Sequence, residues 1–286
     1  MTGAVVRWLV AGARGMLGQD MVGVLERAGQ DVTATDRDVL DITDAAQVLD
    51  AVRGHDVVVN CAAWTAVDDA ELHEPEAFGI NAIGAARLAR AAAQHGARLV
   101  QISTDYVLAG DAASPYEESA PLGPRSAYGR TKAAGEWAVA AECTDHLIVR
   151  TAWLYGAGGR CFPKTIARLA RERDHLDVVD DQVGQPTWTM DLADLVLRLV
   201  RTGVPSGIYH GTSTGETSWF DFARAVVGAA GLDPEMIRRA TSVAASGPAP
   251  RPAYSALGHD ALVRAGVAPI GDWTARWTAA APTVLA

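Results

Sequence analysis

Short runs of uninterrupted apolar residues recur along this chain, each leading into a stretch with helical spacing, and that alternation limits the fold more tightly than any other feature. Val5 to Ala11 reads as a first strand and Met16 to Gly29 as the helix after it. Further strands are expected at Asp31 to Ala34, Val57 to Cys61, Arg98 to Ser103, His146 to Thr151, Leu176 to Val179 and Ile208 to His210. Helical spacing is present near 44–53, 75–95, 127–142, 162–172, 190–202 and 218–230. An apolar run without polar alternation suits a strand covered on both faces. Strand and helix in regular succession predict an α/β fold with a doubly wound parallel sheet. The rhythm fails in the last third, where the run from Ala244 through Ser246, Gly247, Pro248 and Pro250 to Pro252 breaks any helix.

Composition removes several classes of function. The 34 acidic residues outnumber the 25 basic ones, giving a formal charge of −9, whereas a phosphate backbone calls for a surplus of Lys and Arg. No nucleic acid is expected as a partner. No apolar stretch approaches the length of a bilayer span, and the start, Met1-Thr2-Gly3-Ala4, lacks a charged region followed by a long apolar one. No membrane association is expected, and a cytoplasmic location is. The 3 cysteines, Cys61, Cys143 and Cys161, are scattered, and the 7 histidines form no ligand-like pairs; no disulfide framework and no metal site is indicated. Among the 25 basic residues only Lys132 and Lys164 are lysines. A lysine kept against an arginine background suits a place that needs a compact, titratable ammonium.

Directly after the first strand, Gly12-Ala13-Arg14-Gly15-Met16-Leu17-Gly18 opens the first helix. The bare glycine spacing is a weak signal in a chain with 28 glycines, but its place between strand and helix makes it informative. Glycines there permit a tight turn and close backbone approach, and the exposed helix N–H groups favour a pyrophosphate. A dinucleotide-binding Rossmann domain is therefore expected over 1–150, with segments near 175–215 returning to it. A smaller substrate-binding region is expected mainly from 151–174 and 216–286. About twenty residues past the glycines, Asp36 suits a free ribose 2′-hydroxyl, as in NAD, whereas Arg37 and Arg14 suit a 2′-phosphate, as in NADP. NADPH is favoured, with NADH open as well. Asp41 and Ile42 either flank the adenine or belong, with Thr43 and Asp44, to the capping of the next helix.

Tyr128-Gly129-Arg130-Thr131-Lys132 places a phenol and an ammonium four residues apart, on one helix face, with Ser126 as N-cap. A ketone that accepts hydride needs a proton for its oxygen, and an ammonium nearby lowers the pKa of a phenol that gives one. Gln101-Ile102-Ser103-Thr104-Asp105-Tyr106 leaves an expected strand at its carboxyl end, the ligand side of open α/β sheets. A hydroxyl there, Ser103 or Thr104, either holds the carbonyl or caps a turn.

These residues resemble the extended short-chain dehydrogenases that reduce nucleotide-sugar ketones, above all the dTDP-4-dehydrorhamnose reductase family. The resemblance runs almost end to end. It is carried by the glycine turn, by Val59 to Asp68, by Ser103 to Val107, by Tyr128 with Lys132, by Arg150-Thr151-Ala152-Trp153 and by Asp181 to Thr187. It implies that Thr104 positions a C4 carbonyl, Tyr128 protonates its oxygen, and Lys132 tunes Tyr128 and holds the nicotinamide ribose. It implies that Ala62, Ala63 and Thr65 line the cofactor and that Asp105, Tyr106 and Trp153 face the sugar. Gln182, Pro186 and Arg251 would meet the nucleotide, with Arg251 suited to the diphosphate. The implied substrate is a small nucleotide sugar.

Three positions depart from the family pattern: Cys161 and Tyr254 stand where Asn is usual, and Leu108 where Phe is common. They keep open a related 4-ketoreductase of specialised deoxysugars, dihydrostreptose-type synthesis included. A further alternative is a non-catalytic subunit retaining a nicotinamide-binding domain, like the reductase-like β subunit of methionine adenosyltransferase. The complete Thr104, Tyr128 and Lys132 set weighs against that. A homodimer is left open, because amphipathic helices cover a sheet or pair with a second subunit equally well.

Overall fold

The computed structural model describes residues 6–242 and 247–286. Val5 of the first expected strand and Ala244, Ala245 and Ser246 of the expected loop lie outside the described residues.

Five strands, β1 (Arg7–Ala11), β2 (Asp31–Thr35), β3 (Val57–Asn60), β4 (Arg98–Thr104) and β5 (His146–Thr151), join the strand Gly207–His210 in one six-stranded parallel sheet. The spatial order is Gly207–His210, β5, β4, β3, β1, β2. Because β1 pairs with both β2 and β3, the chain winds outward in opposite directions from this point and leaves a crevice above it. Alternation along β1 feeds two cores. Trp8 and Val10 pack with Leu17, Met21 and Leu25 of the helix Met16–Arg27 and with Leu192, Val196 and Leu199 of Thr189–Thr202. Leu9 and Ala11 pack on the opposite face with Val48, Val52, Leu88, Ala92 and Val139. The doubly wound α/β class is therefore present, and both faces are covered, as the apolar runs require.

The helix expected over 75–95 is not uniform. Glu74–Phe78 and Ala85–His95 flank a π-helical segment, Gly79–Gly84. The widened turn sends the buried Asn81 side chain inward, where it accepts from the Trp64 N–H at 2.8 Å and donates to the Thr131 hydroxyl at 3.0 Å. Hydrophobic periodicity does not register such a segment, which is held by side-chain hydrogen bonds. A second correction concerns Leu176–Val179, expected to return to the main sheet. It pairs instead in parallel with Ile237–Ala240. Leu176 and Val178 are buried while Asp177 is exposed, the pattern of a strand covered on one face only. Gly207–His210 does join the main sheet.

A third core lies outside the sheet, where Tyr155, Ile166, Phe222, Val226 and Trp277 meet. The helices Phe162–Glu172, Trp219–Ala229 and Trp273–Val284 enclose it. The last of these was not anticipated in the sequence reading.

The helix Ala127–Glu142 is capped by the Ser126 hydroxyl, which accepts from the Gly129 N–H at 3.0 Å. It packs so close to the π-helical segment that a Cβ at Gly135 would lie 2.3 Å from the Asn81 carbonyl oxygen. Helix propensity alone favours Ala over Gly by up to about 1 kcal/mol. The clash is with backbone and outweighs that gain, so Gly135→Ala is expected to lower stability by about 1–3 kcal/mol, read from the urea midpoint.

Candidate functional site

The site begins at the end of β1. Gly12 adopts φ 77°, and a Cβ there would lie 2.6 Å from the Ala62 backbone nitrogen; a Cβ at Gly18 would lie 2.1 Å from the Gly12 oxygen. Only glycine allows the turn and the helix to come this close. Gly15 is the N-cap of Met16–Arg27, and no side chain caps that end. Its first-turn N–H groups are thus left for solvent or an anionic ligand. A Cβ-free cradle beneath uncapped helix N–H groups fits a pyrophosphate.

From this turn a cleft of about 660 Å³ runs over the carboxyl ends of β3, β4 and β5. Of the residues expected at the site, Arg14, Gly15, Met16, Leu17, Gly18, Ala62, Ala63, Thr65, Ser103, Thr104, Asp105, Tyr106, Tyr128, Lys132 and Trp153 line it. Cys61, Thr151 and Arg160 join the walls without having been anticipated. The Thr151 hydroxyl is buried there with no partner among the described residues, so a bound molecule has a hydroxyl to meet. A larger hollow of about 790 Å³ lies elsewhere, against Trp273, Trp277 and Leu285. Apart from Arg171, Thr274 and Thr278 its side chains are apolar, and no acid–base pair is among them, so it does not have the make-up of a reaction site.

The remaining expected residues lie outside the cleft wall. Gly12 sits beneath the turn. Asp36 accepts from the Arg14 N–H at 2.9 Å with one oxygen and from the Arg37 N–H at 2.8 Å with the other, so its carboxylate ties two loops together beside a hollow of about 430 Å³. The Arg14 side chain pairs with Asp38. Asp41 accepts from the backbone and hydroxyl of Thr43 at 2.8 and 2.7 Å. The hydroxyl and backbone of Thr43, with Arg37 nearby, hold its carboxyl below the usual range. Ile42 is buried in the aliphatic core, and Asp44 caps Ala45–Val52. Gln182 is half-buried and Pro186 buried. Arg251 pairs with Asp68 at 2.7 Å and shares a small crevice with Tyr106 and Arg125.

Thr104 ends β4, and its hydroxyl donates to Asp105 Oδ1 at 2.8 Å. Tyr128 meets Tyr106 edge-on, with ring centroids 5.6 Å apart. Lys132 is buried one turn along the helix, its Nζ donating to the Ile102 carbonyl at 2.6 Å. Burial sets the protonation states. It draws the Lys132 amine down to about 8, with Glu136 and Cys61 opposing it, and it pushes the Cys61 thiol up to about 12. The Tyr128 phenol is likewise pushed above its ordinary range by burial, with the Thr104 hydroxyl opposing. The downward pull expected from the ammonium is not among the causes acting on it, and Tyr128 stays protonated at neutral pH.

Trp153 carries the one positive φ, 46°, among the described non-glycine residues. Its ring stacks on Trp219 at 3.5 Å between centroids, 8° from parallel. Such a backbone costs about 1–3 kcal/mol and persists where surroundings fix it. Gly184 is part of that fixing, since a Cβ there would lie 2.6 Å from the Trp153 ring. Cys161 caps the helix Phe162–Glu172 with no side-chain hydrogen bond, the capping that an Asn provides being absent. Leu108 is buried with Val107 and Leu257, and the Tyr254 hydroxyl donates to Glu216 at 2.8 Å.

A parallel sheet with this strand order, a glycine turn at its switch point and a Thr, Tyr and Lys set over its carboxyl edge defines an extended short-chain dehydrogenase of Rossmann type. Residues 6–284 match the family described as RmlD substrate binding domain, and the chain belongs to that family. It is 48% identical over 279 residues, 96% of either chain, to a dTDP-4-keto-6-deoxy-D-glucose reductase of Streptomyces niveus. To a dTDP-4-dehydrorhamnose reductase of Streptomyces griseus it is 48% identical over 285 residues, 97% of this chain and 94% of that one. Among solved structures it is similar to a dTDP-4-dehydrorhamnose reductase of Bacillus anthracis in complex with NADP, with a TM-score of 0.93, 37% identity and coverage of 96% and 98%.

Burial raises the Asp105 carboxyl from 3.8 to about 6, and its Oδ2 has no partner among the described residues. Between those two values the folded state holds a proton that the unfolded chain has lost, so stability falls as pH rises through that window. Asp105→Asn removes the ionisation. The variant is expected to be more stable than the parent at pH 7.5, with the advantage shrinking towards pH 4.5 in denaturant titrations. An advantage independent of pH would contradict this account.

Proposed function

We propose that this chain reduces the C4 ketone of a dTDP-4-keto-6-deoxyhexose with NADPH, converting dTDP-4-dehydro-L-rhamnose to dTDP-L-rhamnose. The observation that carries this reading is the meeting of Thr104, Tyr128 and Lys132 in the cleft that starts at the uncapped glycine turn. The names of the relatives and the NADP held by the Bacillus anthracis protein support it. The dinucleotide, when bound, supplies the hydride. Gly12, Gly15 and Gly18 take its pyrophosphate, with Met16 and Leu17 beside them and Ala62, Ala63 and Thr65 along its length. With both Asp36 oxygens bonded to backbone amides, the flanking Arg14 and Arg37 favour a 2′-phosphate, and NADH serves as a second donor.

Tyr128 gives its proton to the ketone oxygen as the alcohol forms, so the product gains one hydride and one proton. Thr104 holds the same oxygen by hydrogen bond. Lys132 offsets the phenolate left on Tyr128 and holds the nicotinamide ribose. Trp153 offers the sugar an apolar face, with Asp105 and Tyr106 beside it, and Gln182 and Pro186 adjoin the nucleotide. Arg251 serves the diphosphate by exchanging the Asp68 carboxylate for phosphate oxygens. A cytoplasmic site of action accords with this reading, and no described helix is long and apolar enough to cross a membrane.

A second reading keeps the chemistry and changes the sugar. It draws on the Streptomyces niveus relative, named for the D-gluco ketone, and on Cys161, Leu108 and Tyr254. Incubation with dTDP-4-keto-6-deoxyglucose, with and without a 3,5-epimerase, separates the two: oxidation of NADPH that requires the epimerase supports the rhamnose reaction. Oxidation without it supports the second reading, and none in either case, from folded protein, overturns both. Tyr128→Phe is expected to lower kcat by about 10²–10⁴-fold while the Kd for NADPH, read by fluorescence, stays within about threefold of the parent.

A further inference from the structure

One turn beyond Lys132, the helix Ala127–Glu142 carries a fully buried acid, Glu136. A carboxylate in such a place needs partners. Arg150 supplies two, Nε at 2.9 Å and Nη2 at 2.8 Å, and the Ser103 hydroxyl donates a third at 2.5 Å. Ser103 and Arg150 face each other across β4 and β5, each one residue before a threonine of the cleft, Thr104 and Thr151. One carboxylate thus clamps the helix that bears Tyr128 and Lys132 to both strand ends that face the ligand. Cys61 beyond β3 and Glu136 of its own helix act on the charge of the Lys132 amine, the Ile102 carbonyl of β4 accepts from it, and Tyr128 and Asp105 line the same cleft. Glu136 is the foremost influence opposing the effect of burial on Lys132.

We propose that Glu136 is a positioning residue for Lys132: clamped by Arg150 and Ser103, it holds the helix turn that carries the amine against the strand ends of the cleft, and its carboxylate, partly offset by Arg150, favours the buried ammonium. The role of Lys132 in turnover rests on the reductase reading; the charge relation between the two side chains does not.

The chain has only 2 lysines, Lys132 and Lys164, so lysine carrying ¹³C at Cε yields two amine signals, and Lys132→Met assigns one. In the parent that signal is expected to titrate near 8. In Glu136→Gln its midpoint is expected to move down by about one pH unit or more, with the alkaline limb of the kcat profile following it. Glu136→Asp, which keeps the charge, holds the midpoint near that of the parent. Should the unpaired Arg150 unfold the Gln variant, Glu136→Gln/Arg150→Met is titrated against Arg150→Met instead, so that the two proteins differ only in the Glu136 charge. An unmoved Lys132 midpoint in the folded variant overturns the proposal. A parent protein that reduces no keto sugar overturns the reductase reading instead and leaves the titration standing as the test of this one.

Discussion

A parallel sheet covered on both faces leaves polar chemistry nowhere to go except the carboxyl ends of its strands. In this chain the strand interiors are largely apolar, while Asn60, Ser103, Thr104, Arg150 and Thr151 are buried at or near those ends and Gln101 midway along β4. Each must find a partner or face the crevice. Asn60 donates to Gln101 at 2.8 Å and accepts from the Ala62 N–H at 3.1 Å, which shapes the loop lining the cleft. Thr104 and Thr151 face the crevice. The winding that makes the core also makes the site.

The same burial acts on the charges. Desolvation disfavours the ionised form of every group it touches, whichever its sign. Asp105 is raised to about 6 and Lys132 lowered to about 8 by burial, so acid and base move towards one another near neutrality. A cleft dry enough to strengthen a hydrogen bond to a ketone is also dry enough to discharge the lysine it employs. The Glu136–Arg150 pair resolves this conflict from behind the site, placing full charges where no ligand competes for them.

What was readable in advance was local. Tyr128 and Lys132 announce themselves because four residues on a helix make one turn, and the glycine turn does so because strand, glycines and helix follow in order. The layered fold was legible for the same reason, since periodicity records which faces are covered. The π-helical segment was not: its cause is Asn81 reaching Trp64 and Thr131, contacts remote in sequence. The partner of Leu176–Val179 was hidden because pairing with Ile237–Ala240 depends on where the third core forms. The engagement of Asp36 with backbone amides and of Arg251 with Asp68 follows from loop conformations that residue types do not encode. Glu136 had a readable signal, an acid in line with Tyr128 and Lys132 on one helix face, and its weight came only with Arg150.

The two walls of the cleft obey different physics. The wall proposed for the dinucleotide is backbone, set by glycines packed close to neighbouring main chain and so insensitive to exchange of side chains elsewhere. The opposite wall is aromatic, with Trp153 in a costly backbone conformation held by Trp219 and by the close approach of Gly184. Phe162, which meets Trp219 at 4.4 Å, begins the helix whose N-cap is Cys161 rather than a capping amide. A change at that cap therefore bears on the Trp153 indole through two intervening rings, Phe162 and Trp219. One wall is thus fixed by close backbone contacts, while the other depends on a strained tryptophan stacked on Trp219, which in turn meets the first residue of a helix without a side-chain cap.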